Sequence, residues 1–81
     1  TEQFDLGISA KTIQAMLTDV GGRIQHFRKE KGLSQQQLAT ASKLDRSYVS
    51  AVEHGKQNVS FATLKNLSDA LDVNIVELID D

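Results

Sequence analysis

The chain has 81 residues, which is enough for one small domain with a single core. It has no cysteine, so disulfides and thiolate metal sites are excluded, and it has neither an apolar run long enough to span a membrane nor the apolar segment of a signal peptide. The formal net charge is −2, but residues 21–58 carry seven Lys or Arg and three Asp or Glu, whereas residues 59–81 carry one and five. We therefore expect a cytoplasmic protein without a cofactor, whose middle segment faces a polyanion unless these charges only solvate the surface.

An all-α fold is expected, because apolar residues recur at helical spacing and the chain has no proline. Ser9 is the expected N-cap of a first helix over about residues 10–19. The apolar stripe of this helix consists of Ile13, Met16, Leu17 and Val20. We assign the helix to an N-terminal extension, residues 1–20.

A break or bend in the helix is expected at Gly21-Gly22. The remaining domain, residues 21–81, then begins with a helix over about residues 22–31. This helix buries Ile24 and Phe27 and stops at Gly32, where a glycine after the last turn is typical.

The middle of the chain predicts two short helices joined by a tight turn. Ser34 opens the first helix, and Gln37, three residues later, completes a capping box. Asp45 is the expected N-cap of the second helix, about residues 45–53, which ends at Gly55.

These two helices have the packing pattern of a helix-turn-helix, which presents its second helix to the major groove of DNA. Ala39 is small enough to lie where the helices cross. The apolar residues that hold the pair together are Leu38, Leu44, Val49 and Val52. Successive residues turn by about 100° around the second helix, so its outer face is small and polar. That face comprises Arg46, Ser47, Ser50, Ala51 and His54.

Two further helices are expected towards the C-terminus. Ser60 is the expected N-cap of a helix over about residues 61–71. This helix is expected to bury Phe61, Leu64, Leu67 and Leu71. A last short helix over about residues 74–80 is expected to start at Asn74.

The segment from Gly22 to Ile79 resembles the Cro/C1 (lambda-repressor-like, XRE-type) family of DNA-binding domains. The residues that carry the resemblance are Ser34-Gln35, Leu38-Ala39, Leu44 to Ser50, Val52 to Lys56, Leu64, and Ala70 to Val73. The resemblance implies a five-helix lambda-repressor-like DNA-binding domain, here with an extra N-terminal helix. The run Asp45-Arg46-Ser47-Tyr48-Val49-Ser50 is also similar to the controller proteins of restriction-modification systems.

One position departs from the family pattern. Lys43 occupies a turn position that is often glycine in the family, so a left-handed backbone is expected there at a cost of about 1 kcal/mol. A second expectation concerns Glu53, which we expect to pair with a base such as Arg28 and to orient the helices rather than to contact DNA.

We predict that double-stranded DNA is contacted by both helices of the pair and by the loop that follows them. Arg46 is predicted to contact a base, because an arginine can donate two hydrogen bonds to guanine; the alternative is a surface ion pair with Asp45 or Glu53. The other predicted DNA-contacting residues are Gln35, Gln36, Lys43, Ser47, Tyr48, Ser50, Ala51, His54, Lys56, Gln57 and Asn58. For several of these the alternative is a solvent-facing residue without a DNA contact, and Tyr48 either touches the phosphate-sugar backbone or packs.

A homodimer is expected, because the C-terminal tail is rich in aliphatic residues. On a helix these residues spread over more than 100°, which is wider than one core-facing stripe. The predicted interface consists of Val73, Ile75, Val76 and Ile79, and the competing surface consists of Ile13, Met16, Leu17 and Val20. A twofold dimer would place two recognition helices about 34 Å apart, which is one turn of DNA.

These expectations define a sequence-specific transcriptional regulator, a repressor or an activator, that binds a pseudo-palindromic operator as a homodimer. The alternative is an antitoxin-like or other protein-binding module of the same fold, in which the N-terminal helix holds a protein partner and DNA binding is secondary. An enzyme is not expected, because the sequence lacks a cysteine, a paired histidine cluster, a glycine-rich phosphate loop and any triad-like spacing.

Overall fold

The computed structural model describes the backbone of residues 2–79 and the side chains of residues 13–79. The described residues form five α-helices, so the expected all-α fold is confirmed. In chain order the helices are α1 (Glu2–Glu30), α2 (Gln35–Ser42), α3 (Arg46–Glu53), α4 (Phe61–Leu71) and α5 (Val76–Ile79).

The core lies where the C-terminal half of α1 meets the four shorter helices. Its fully buried apolar residues are Ile24, Leu38, Ala39, Val49, Val52, Leu67, Leu71 and Leu78. Helices as short as α2 and α3 are marginal alone in water, so their stability comes from burying these side chains. None of the helices among the described residues combines the length and apolar character needed to cross a membrane.

The first helix is continuous, which corrects the helix boundaries expected from the sequence. The helices expected over residues 10–19 and 22–31 are one element, so the expected break at Gly21-Gly22 is wrong, and Ser9 lies inside α1 rather than at its N-cap. Gly21 is buried where α1 crosses the end of α3, and a Cβ there would lie 2.3 Å from the carbonyl oxygen of Val52. Two glycines inside a helix cost about 1 kcal/mol each, and the packing of α1 on the core outweighs this cost.

This long helix also sets the shape of the molecule. A helix of 29 residues is about 43 Å long, and the molecule measures 45 × 23 × 20 Å. The C-terminal half of α1 packs on the core, while its N-terminal half continues beyond the width of the domain.

The helices α1 to α4 all end in the same way. The first or second residue after each helix has a left-handed backbone, with φ between 58° and 72°, and the next N–H donates to the carbonyl five residues earlier. The four left-handed residues are Gly32, Lys43, Gly55 and Asp72. This closure satisfies terminal carbonyls and reverses the chain sharply, which lets the short helices pack against one another.

Two expectations about the last helices need correction. Ser60 caps α4 as expected, since its Oγ accepts a hydrogen bond from the Thr63 N–H at 3.1 Å. Phe61, however, is 70% exposed, because it is the first residue of α4 and lies at the edge of the domain, outside the core. The final helix begins at Val76 rather than at Asn74, whose Oδ1 accepts a hydrogen bond from the Val76 N–H at 3.2 Å.

Candidate DNA interface

The first helix of the pair begins at a reciprocal cap. The Gln37 N–H donates to Ser34 Oγ at 3.0 Å, and the Ser34 N–H donates to Gln37 Oε1 at 2.8 Å, which confirms the predicted capping box. The cap fixes where α2 starts and therefore where the remaining N–H groups of its first turn point. Such a helix N-terminus favours an anion such as a phosphate.

The turn between α2 and α3 is closed by Lys43. Its φ and ψ of 61° and 42° are left-handed, as expected from the sequence. The Leu44 N–H donates to the Ala39 carbonyl at 2.8 Å, and Ala39 is fully buried, which confirms that a small residue lies at the crossing. The turn therefore holds α3 across α2 at short range.

The second helix has one buried and one open face. Val49 and Val52 are each 1% exposed, so the core-facing side of α3 is confirmed. The opposite side contains the exposed residues Arg46, Ser47 and His54 and the partly buried residues Ser50 and Ala51. Small side chains on this side allow the helix backbone to approach the edges of base pairs closely.

A buried polar network joins the ends of three helices. Arg28 donates to the Glu53 carboxylate through Nε at 2.6 Å and Nη2 at 3.1 Å, so the expected pairing of these two residues is confirmed. Arg28 Nη1 also donates to the Leu33 carbonyl at 2.8 Å, and Gln35 Nε2 donates to Glu53 Oε1 at 3.0 Å. The network fixes the orientation of α3 relative to α1 and α2.

This network also places Gln35, which was predicted to contact phosphate. Its side chain is partly buried and bonded to Glu53, so it lies at the junction of α2 and α3 rather than free in solvent. Sequence reasoning did not find this contact, because the two residues are 18 positions apart. The only available signal was the expectation that Glu53 has a structural partner.

Arg46, the predicted base-contacting residue, is exposed. Within the part of the chain that the structure describes, no ion pair or hydrogen bond engages its guanidinium. The alternative pairing with Glu53 does not occur, because that carboxylate is occupied by Arg28. Asp45 has the extended backbone of an N-cap, but its side chain makes no capping hydrogen bond.

The other predicted DNA-contacting residues lie on the same three elements: the start of α2, the outer face of α3 and the adjoining turns. The exposed ones are Gln36, Lys43, Lys56, Gln57 and Asn58, and Tyr48 is partly buried against the core. His54 Nδ1 lies 2.7 Å from the carbonyl oxygen of Ser50, one turn earlier. The ring is therefore already held against its own helix.

The loop after α3 is held against residues 14–18 of α1. Gln14 Nε2 donates to the Gly55 carbonyl at 3.0 Å, and a Cβ at Gly55 would lie 2.9 Å from Thr18 Oγ1. These contacts fix the segment that carries Lys56, Gln57 and Asn58. Sequence reasoning missed them, because Gln14 and Gly55 are 41 residues apart and nothing local indicates their proximity.

The predicted dimer residues divide into two groups. Val73 and Ile75 are partly buried and pack against the core, whereas Val76 and Ile79 are exposed. On the competing surface, Ile13 and Met16 are exposed, Leu17 is partly buried and Val20 is buried. Over the side chains described, no cluster of three or more His, Cys, Asp or Glu residues could hold a metal ion.

Known proteins share this arrangement. The helix-turn-helix family model matches residues 24–78. The chain is 42% identical over 62 residues to the control protein C.MunI from Mycoplasma sp, covering 75% of this chain and 84% of that protein. It is 40% identical over 63 residues to the transcriptional regulator SinR from Bacillus subtilis, covering 76% of this chain and 57% of SinR.

A solved structure agrees with these relatives. The restriction-modification controller protein C.AhdI from Aeromonas hydrophila matches with a TM-score of 0.77 and 48% sequence identity, covering 79% of this chain and 97% of that one. The fold and the site thus define a DNA-binding transcriptional regulator. The chain belongs to the helix-turn-helix family, of the Cro/C1 type that its motifs resemble.

Proposed function

We propose that this regulator binds a pseudo-palindromic operator as a homodimer, with α3 in the major groove. The observation that carries the proposal is the two-sided character of α3. Val49 and Val52 anchor one side in the core, and the other side presents small and polar residues at an unobstructed surface. A buried anchor with an open polar face is the geometry that a recognition helix requires.

Within this interface, Arg46 is the residue that selects a base. Its guanidinium is exposed and has no partner among the described residues, so it is available for two hydrogen bonds to guanine, a contact that discriminates by about 1–3 kcal/mol. Ser47, Ser50 and Ala51 offer short side chains to the neighbouring bases. His54, whose ring is held by its own helix, contributes at the edge of this face.

Phosphate contacts come from the elements on either side of α3. Lys43 precedes the helix, and the loop after it provides Lys56, Gln57 and Asn58, all of them exposed. Gln35 and Gln36 lie at the capped start of α2, where backbone N–H groups favour a phosphate oxygen. These contacts position the domain on DNA without selecting a sequence.

The homodimer follows from the exposed apolar residues of the C-terminal tail. Val76 is 49% exposed and Ile79 is 37% exposed, although each is a large aliphatic residue whose burial is worth about 1.5–3 kcal/mol. Val73 and Ile75 of the same tail are partly buried and pack against the core. A second copy that covers this tail would align two recognition helices for two half-sites.

The physiological role proposed here is that of a controller. C.MunI is a control protein, and C.AhdI is a restriction-modification controller protein. The match to this chain covers 84% of C.MunI and 97% of C.AhdI. By this likeness, the chain acts in the cytoplasm as a regulator of a restriction-modification system and has no enzymatic activity of its own. A restriction enzyme or methyltransferase gene beside the gene for this chain would support this role.

The decisive experiment is selection of bound duplexes from a random DNA pool by the purified full chain at a fixed salt concentration. Enrichment of two inverted half-sites spaced by about one helical turn is the expected result. The same selection with Arg46→Ala should lose enrichment at one base pair in each half-site. Weak, salt-sensitive binding without enrichment would overturn the proposal and favour a module whose main ligand is a protein.

A further inference from the structure

A second apolar surface lies on the side of α1 that faces α4 and α5. It is a groove of 280 Å³, which we call the α1 groove. The residues that matter for its character are Ile13, Met16 and Leu17 of α1, Phe61 of α4 and Ile79 of α5. The groove lies outside the DNA-binding elements, and DNA contact does not explain it.

The residues of the apolar stripe of α1 become more exposed from Ile24 towards Ile13. Ile24 is fully buried and Val20 is 9% exposed, but Met16 is 53% exposed and Ile13 is 55% exposed. All four lie within an arc of about 100° on the helix surface. The stripe keeps its apolar chemistry where the core of the same chain no longer reaches it.

The groove is continuous with the tail that we propose as a dimer contact. Ile79 belongs to both surfaces, since it lines the groove and is one of the two exposed aliphatic residues of α5. The helix α5 has only four residues, which is too little surface to supply the roughly 800 Å² per partner that a stable interface buries. The adjoining groove provides the missing apolar area.

The charges beside the groove are compatible with a second copy of the same surface. Its lining includes one acidic and one basic residue, Asp19 and Arg23, so two copies brought together do not gather charge of one sign. This surface also lies largely outside the shared domain, because the family model begins at residue 24.

We propose that residues 13–20 of α1, together with Phe61 and Ile79, bind a second copy of this chain and enlarge the dimer interface that α5 begins. This inference rests on the homodimer of the proposed function and names a further part of its interface. Each copy covers the other's α1 groove, which removes Ile13, Met16 and Phe61 from water.

The absence of cysteine from the chain makes a direct test possible. Met16→Cys and Ala15→Cys each introduce one thiol at an exposed position of α1. The two positions differ by about 100° around the helix, which places Ala15 outside the apolar stripe that contains Met16. With a short thiol-to-thiol cross-linker, Met16→Cys should give a covalent dimer. The yield of this dimer should fall when excess wild-type protein is added before the cross-linker. Ala15→Cys should give much less at the same concentration. Equal cross-linking of the two variants would overturn the proposal.

Sedimentation equilibrium of the full chain separates this inference from the proposed dimer itself. Met16→Glu should raise the dimer dissociation constant at least tenfold, whereas the matched control Ala15→Glu should leave it unchanged, with the helix content of both verified by circular dichroism. A dimer broken by Val76→Asp but not by Met16→Glu would overturn the α1 interface and leave the tail interface standing. A wild-type monomer at all concentrations would overturn both interfaces, while operator selection would still report on sequence-specific binding.

Discussion

Glu53 occupies the last position of the recognition helix, and its carboxylate accepts hydrogen bonds from Arg28 and Gln35. Both charged residues are buried. A buried ion pair contributes little net stability, because removing two charges from water costs about as much as their attraction returns. We therefore interpret the network as a device that fixes the angle of α3, which matters more for DNA contact than for folding.

Removing one partner of this pair has a different consequence from the loss of an exposed ion pair. Glu53→Ala should lower the free energy of unfolding by about 3–5 kcal/mol, because Arg28 would remain charged and unpaired in the core. The measurement is urea denaturation followed by circular dichroism. Lys65→Ala is the matched control, since the Lys65–Asp69 pair at 2.7 Å is exposed and its loss should cost less than about 1 kcal/mol.

The double variant Arg28→Met/Glu53→Met completes this test. Because neither charge remains, it should be more stable than Glu53→Ala. It should still bind the operator more weakly than the wild type, since Gln35 loses its acceptor on α3. A double variant less stable than Glu53→Ala would contradict this account of the network.

Arg46 and Lys56 carry positive charge near opposite ends of the recognition helix, and their substitution should affect DNA binding in different ways. Arg46→Ala should weaken binding to the selected operator by about 1–3 kcal/mol and relax the preference at one base pair per half-site. Lys56→Ala should weaken selected and random duplexes alike and reduce the slope of log K against log salt by about one per subunit. Fluorescence anisotropy at several salt concentrations measures both quantities. Equal losses on both duplexes for Arg46→Ala would reassign it to phosphate.

At this scale, local chemistry could be predicted and distant contacts could not. The cap between Ser34 and Gln37 and the left-handed Lys43 follow from residues within one turn of each other. The hydrogen bonds of Gln14 with Gly55 and of Gln35 with Glu53 join residues 41 and 18 positions apart. They depend on how the helices cross, which no local pattern specifies.

At the scale of the elements, the adjacent glycines of α1 have different surroundings. Gly21 contacts the carbonyls of Val52 and Glu53 so closely that any Cβ would overlap them, whereas Gly22 has open space. The sequence alone does not show which of the two glycines lies at a helix crossing, and it predicts a helix break at both. The expected break was wrong for two reasons. Gly21 allows α1 and α3 to pack closely where they cross, and the packing of α1 on the core outweighs the helix-destabilising effect of both glycines.

Two alanine substitutions distinguish these glycines. Gly22→Ala should stabilise the protein by about 1 kcal/mol, since alanine is the better helix former and meets no neighbour. Gly21→Ala should destabilise it by at least about 1–3 kcal/mol, because overpacking at the crossing forces the helices apart. Thermal unfolding checks both, with about 4–8 °C expected for each kcal/mol in a domain of this size. Equal effects of the two substitutions would mean that the crossing is not tight.

The position of Phe61 shows a related limit of pattern reasoning. Its spacing from Leu64 matches the buried stripe of α4, so burial was expected, yet it is 70% exposed. Periodicity defines a direction around a helix but not how far along the helix the core extends. The same limit applies to α1, where Met16 continues the stripe of Val20 beyond the core.

At the scale of the whole molecule, the acidic and basic residues are distributed unevenly along the chain. The exposed basic residues Lys43, Arg46 and Lys56 lie on α3 or within three residues of it, whereas α5 and the residues around it carry the acidic groups Asp72 and Glu77. A molecule with net charge −2 can therefore approach DNA with one face and turn the acidic end away. In the complex that we propose, this distribution favours an approach to DNA through α3, and the tail residues Val76 and Ile79 contact a second copy.

A dimer of this kind should measure the spacing between half-sites. Two recognition helices held by one rigid interface match half-sites one turn apart, so inserting about five base pairs moves the second half-site to the opposite face of the duplex. We expect the insertion to reduce affinity to that of a single half-site, because only one subunit can then engage. Val76→Asp, which should prevent dimerisation, is expected to bind both duplexes equally weakly. Fluorescence anisotropy at one salt concentration makes the comparison, and wild-type protein that binds both duplexes equally well would show that the subunits bind independently.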